Sequence, residues 1–178
     1  MRVAVSGGLA VGKTTLIQFL APHLRDYAVV PDYVDVVLEE EGFASPRQLT
    51  DESARRIRWS ALERKIADEK ANEDFLSDKS VIDYFAYTLI WWRLQNEEEI
   101  NRWREKIVAH ASVYEKVVIP PLGRFPVVDN GKRTTSLNHQ FRVHALIKGI
   151  YTELGITWQE YSLNLSDSPE KVLGDLGL

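Results

Sequence analysis

Cysteine is absent from this chain, and methionine occurs once, at position 1. That excludes disulfides, cysteine-ligated zinc and iron–sulfur clusters. The four histidines, His23, His110, His139 and His144, are scattered and offer no compact metal-ligand spacing. No apolar run approaches the roughly 20 residues needed to span a bilayer, and mean hydropathy is -0.25. The opening Met1-Arg2-Val3-Ala4-Val5-Ser6-Gly7-Gly8 lacks the apolar core of a secretory signal. The expectation is a cytoplasmic chain that makes no use of membranes.

What is present fits one globular unit. The 178 residues, 44% hydrophobic and 27% charged, suit a single domain over 1–178. The net charge of -4 is uneven along the chain. Between 121 and 150, Arg124, Lys132, Arg133, Arg142 and Lys148 face only Asp129, a local +4 on a remainder of -8. A basic segment on an acidic body suits an anionic ligand better than a nucleic-acid coat.

Short apolar runs alternate with helical periodicity. Strands are expected at Val3–Val5, Tyr27–Val30, Phe75–Ser77, Lys116–Ile119 and Ile156–Leu163. Helices are expected after Gly12 and over 51–72, 83–95, 97–112 and 137–154, with Pro169 opening a last short one. Asn96 followed by Glu99 reads as a capping box, and Gly155 suits a helix C-terminus. Strands separated by helices form right-handed crossovers, so the fold class is α/β, a three-layer sandwich around a five-stranded parallel sheet. The stretch 121–136 reads as a basic lid.

Between the first strand and the first helix stands Gly7-Gly8-Leu9-Ala10-Val11-Gly12-Lys13-Thr14, followed by Thr15. It matches G-x-x-x-x-G-K-[ST] in the strand–turn–helix context that this motif needs. Backbone N–H groups of such a loop cradle phosphate oxygens, the lysine neutralises the β- and γ-phosphates, and the hydroxyl of Thr14 suits Mg²⁺. Acidic residues then stand at two strand ends: Asp32 and Asp35 after the second, Asp78 and Asp83 after the third. The carboxyl ends of parallel strands are where open α/β sheets bind ligands.

Pro31-Asp32-Tyr33, then Asp78-Lys79-Ser80 with Asp83 and Ala86-Tyr87, then Asp129-Asn130-Gly131-Lys132-Arg133 follow the P-loop in order. In these segments the chain resembles the small P-loop kinases related to nicotinamide-riboside kinase and thymidylate kinase, from Met1 to about Leu173. It departs from their pattern with Asp32 in place of Glu, Asp35 where many have Arg, Lys79 in place of Arg, and the extra Asn130.

The resemblance implies a kinase fold with ATP as donor and a nucleoside- or nucleotide-like acceptor. The alternatives are a modified base or end in DNA as acceptor, and a regulatory module that hydrolyses NTP. No Asn-Lys-x-Asp guanine-reading motif is present. Asp78 is the candidate for holding Mg²⁺, or else a strand-end cap. Asp32 is the candidate base, or else orients the substrate or caps the next helix. Arg133 is the catalytic lid candidate, because a guanidinium clamps phosphate oxygens bidentately.

Asp35, Lys79, Asp83, Arg58 and Trp59 are candidate substrate contacts. Against this, Asp35 suits a solvated helix and Lys79 with Asp83 suits an i,i+4 ion pair. The other tryptophans are assigned to packing, and His139 and His144 to structural roles.

Overall fold

The computed structural model describes residues 1–91, 96–123 and 136–178. Arg2–Val5 forms β1, the central strand, with Val3, Ala4 and Val5 fully buried. Around it β2 (Ala28–Val30), β3 (Phe75–Asp78), β4 (Lys116–Ile119) and β5 (Gln159–Glu160) complete a sheet of order β2-β3-β1-β4-β5. Every pairing is parallel. The helices are α1 (Lys13–Leu20), α2 (Tyr33–Glu40), α3 (Asp51–Ala71), α4 (Val81–Trp91), α5 (Glu97–Ala111), α6 (Leu137–Glu153) and α7 (Pro169–Leu176).

The period-two alternation of the strands sorts the core into two faces. Val3, Val5, Leu76 and Val118 pack with Leu16, Ile17 and Leu20 of α1 and with Val172 and Leu176 of α7. Ala4, Phe75, Val117 and Ile119 point the other way, into the larger layer built by α2 to α6. The expected three-layer, five-stranded parallel sandwich is the fold.

Several local expectations need correction. The last strand is only Gln159–Glu160, because Pro120-Pro121 end β4 and leave it just Val118 and Ile119 as partners. The stretch after β2 forms a helix, α2, that hydrophobic spacing did not mark out. Asn96 does cap α5, but its side chain accepts from the Glu98 N–H at 2.9 Å, and Glu99 pairs with Arg55 at 3.7 Å in place of closing a capping box. Most of the expected lid, including Arg133, lies outside the described residues. Among the described residues no helix is long and apolar enough to cross a membrane.

The register sets the site. Val5 is level with Asp78 on one side and Val118 on the other, and Val30 with Ser77. The chain leaving β1 therefore enters the glycine-rich turn beside the ends of β2 and β3, with Asp32 two residues beyond Val30.

Candidate active site

The turn after β1 is held in a conformation that needs glycine. Gly7 has φ 127° and Gly12, which caps α1, has φ 94°. Side chains rarely adopt these values. Asp83 fixes the start of the turn: its carboxylate accepts from the Ser6 hydroxyl at 2.5 Å and the Gly7 N–H at 2.9 Å. It also accepts from the Ser80 N–H at 2.9 Å and hydroxyl at 2.8 Å. Helix α6 closes over the other side, where the Gly8 N–H donates to His144 Nδ1 at 3.2 Å and the Gln140 amide donates to the Leu9 carbonyl.

Lys13, the first residue of α1, is buried. Its ammonium donates to the carbonyls of Gly7 at 2.9 Å and Gly8 at 2.6 Å. Burial pulls it down to about 8, against the attraction of Asp83. The Thr14 hydroxyl donates to Asp78 Oδ2 at 2.7 Å. A hydroxyl and a carboxylate oxygen side by side are the hard donors that Mg²⁺ takes, with its remaining positions left to phosphate and water. The two residues thus fit the ion.

The end of the second strand supplies Asp32 to the same cavity. It caps α2 by accepting from the Val34 N–H at 3.2 Å, accepts from the Tyr84 hydroxyl at 3.0 Å, and pairs with Lys79. Burial pushes its carboxyl up, but the Lys79 ammonium, the Val34 N–H and the charge of Lys65 outweigh that and bring it to about 2. For Lys79, burial works against the charge and Asp32 more than offsets it, so the ammonium is held above its ordinary value.

A cavity of about 590 Å³ joins these groups, lined by the turn from Leu9 to Thr15, by Asp32, Asp35, Asp78 and Lys79, and by Arg58, Tyr87 and His139. Burial lowers the Arg58 guanidinium to about 10, opposed by Asp32. The buried Tyr87 hydroxyl has no hydrogen-bond partner among the described residues.

Two sequence candidates stand elsewhere. Asp83 is fully buried behind the turn, where four donors consume its carboxylate, so it neither faces the cavity nor needs Lys79 as an i,i+4 partner. Trp59 points from α3 toward α5, edge-on to Trp103 at 5.2 Å and beneath the Arg102 guanidinium at 4.3 Å.

Sequence reasoning missed Lys65, Glu69, Tyr84 and Gln140. For Lys65 and Glu69 a signal existed, because both fall on the stripe of α3 that carries Ile57, Ala61, Leu62 and Ile66 into the core.

A glycine-rich turn between β1 and α1, a lysine at the head of the helix, and a threonine against the β3 aspartate define a P-loop nucleoside-triphosphate-binding protein. The family model described as AAA domain matches residues 2–167, and the chain belongs to that family.

The fold is that of the P-loop nucleotide kinases. A NadR structure in complex with NAD and AMP-PNP is similar at TM-score 0.71 and 15% identity, over 99% of this chain and 49% of that one. The chain thus spans about half the length of that NadR structure. Deoxyadenosine kinase from M. mycoides with bound dATP is similar at TM-score 0.68 and 10% identity, covering 100% of both chains. Thymidylate kinase from Ehrlichia chaffeensis is similar at TM-score 0.62 and 14% identity, over 99% of this chain and 98% of that one. No curated protein matches the chain.

Proposed function

We propose that the chain is a kinase that transfers the γ-phosphoryl group of ATP to a small nucleoside- or nucleotide-like acceptor. The observation that carries this reading is the lining of the cavity. Lys13, Thr14 and Asp78 suit a triphosphate and its metal, and the same cavity is also lined by Asp32, Lys79, Arg58 and Tyr87, which a triphosphate alone does not require. A hydrolase needs room only for water there. The similar structures named above were solved with nucleotides or belong to nucleotide kinases, which agrees with this choice.

Lys13 would leave the Gly7 and Gly8 carbonyls for the phosphates, which compensate its charge better than two dipoles do. Thr14 and Asp78 would hold Mg²⁺, which when bound supplies positive charge against the phosphates. A carboxylate near 2 is ionised at any working pH but is a weak base. Asp32 would therefore orient the acceptor hydroxyl and take its proton late, which a loose transition state tolerates. Arg58 and Tyr87, which line the cavity, would fix the acceptor, and Asp35 lines it from an exposed position. The clamping role of Arg133 rests on the sequence alone.

The test is transfer from γ-labelled ATP to a panel of nucleosides, nucleotides and modified single- and double-stranded DNA. Label in a small acceptor is the expected result. Inorganic phosphate as sole product, or label in DNA alone, would replace this reading by a hydrolytic module or a DNA kinase.

A further inference from the structure

Lys65, in α3, is completely buried, and its ammonium collects three backbone carbonyls: Val30 at 3.2 Å, Pro31 at 3.0 Å and Asp78 at 2.9 Å. An ammonium has three donors and no acceptor, so its capacity is filled. The first carbonyl ends β2, the second precedes Asp32, and the third belongs to Asp78 itself. One turn on, Glu69 lies 3.9 Å from the ammonium. The Glu69 carboxylate accepts from the Ser77 hydroxyl and from the Tyr114 hydroxyl at 2.9 Å, and it lies 2.6 Å from His110 Nε2. Tyr114 in turn accepts from the Val81 N–H at 2.9 Å, at the head of α4.

A fully buried ion pair is a poor device for stability, since apolar side chains of like volume do as well or better. Its geometry accounts for it in another way. Three carbonyl oxygens converge on one point, and without a cation their negative ends repel, which would part the ends of β2 and β3. The two carboxylates of the site begin at those ends.

We infer that Lys65 is a positioning residue: it ties the ends of β2 and β3 to α3 and so sets the separation of Asp32 from Asp78, with Glu69 holding the ammonium in place. The inference rests on the phosphoryl-transfer reading for its kinetic consequence only. Lys65 is fully buried and does not line the cavity, so its loss acts through metal placement and turnover and leaves nucleotide capture intact.

The experiment compares Lys65→Met, the charge-balanced Lys65→Met/Glu69→Gln, and Ile66→Val as a core control from the same helix. Mn²⁺ binding to the enzyme–ATP complex is read by electron paramagnetic resonance, ATP binding is read without metal, and kcat and KM are read with the best acceptor of the panel. Loss of a group that supports metal ligands typically costs about 10- to 100-fold in affinity or activity. A loss in that range is expected in Mn²⁺ affinity and in kcat for the folded Lys65 variants. Metal-free ATP affinity should stay within about threefold, and the control should be unchanged, because only strand-end placement is altered.

A folded double variant with wild-type Mn²⁺ affinity and kcat overturns the inference. So does failure of both Lys65 variants to fold, which would make the ammonium a requirement of the core. If the wild-type enzyme transfers phosphate to no acceptor, the kinase reading falls, and the Mn²⁺ comparison still decides on Lys65.

Discussion

The Lys79 ammonium lies against the Asp32 carboxylate and 4.9 Å from the centre of the Tyr87 ring. Lys79 reaches that position from a left-handed backbone, φ 66°, which costs a non-glycine residue on the order of 1 kcal/mol. Its N–H is held by the Val5 carbonyl at 3.0 Å, so the strain is anchored to the central strand. The lysine thus turns back across the end of β3 to meet a carboxylate that starts from β2.

Removing that ammonium leaves burial as the dominant influence on Asp32. Its carboxyl, now near 2, then rises toward or past the ordinary carboxylate value. In Lys79→Met the acid limb of the kcat/KM profile is expected to move to higher pH by at least about one unit, since the group must ionise to accept the acceptor's proton. A limb that stays in place would take Asp32 out of the proton path.

Lys13→Ala is expected to lower transfer by about 100-fold or more, the scale of a lost transition-state charge partner. Stability at neutral pH should fall little, because the variant also removes a buried ammonium whose burial already pulls it down to about 8. Thermal unfolding and transfer measured on the same preparation check both halves.

Adjacent residues on α3 should separate binding from packing. Arg58→Met is expected to raise the acceptor KM about tenfold, the scale of a charged hydrogen-bonding group lost from a site, since Arg58 lines the cavity. Trp59→Phe should leave KM alone and cost about 1 kcal/mol, because Trp59 turns from the cavity toward α5, where it meets Trp103 and Arg102. In a domain of this size that is roughly 2–4 °C in Tm.

His144 gives the fold a pH dependence. Burial, with Lys148 and Lys13 nearby, lowers its imidazole from 6.5 to about 4, and its Nδ1 accepts the Gly8 N–H. Between those values the unfolded chain takes up a proton that the folded chain refuses, so stability falls as pH drops from 6.5 toward 4. The contribution is at most about 3 kcal/mol. Denaturant melts at pH 7 and pH 4.5 should show a smaller difference in His144→Asn, which keeps an acceptor near the Nδ1 position without the titration.

Sequence periodicity located the sheet because Val3, Val5, Phe75 and Val118 bury both faces of short parallel strands, a pattern that stands out locally. The P-loop was legible for a similar reason, since its chemistry sits in consecutive residues. Asp32 and Asp78 were readable as strand-end carboxylates. Their partners were not, because Lys79 and Asp83 are four apart in sequence yet turn to different neighbours once the left-handed Lys79 redirects the chain. Lys65 was hidden because its partners are backbone carbonyls, which no residue type announces.

The glycine-rich turn has one further consequence. A Cβ on Gly8 would meet the Gln140 carbonyl oxygen at 3.1 Å and His144 Cβ at 3.1 Å. The phosphate-binding signature leaves this position open to any residue, yet in this chain the neighbouring helix has claimed it. Lineages that enlarge the residue there must also shrink or shift the helix that leans on it, so the two sites are free to drift only together.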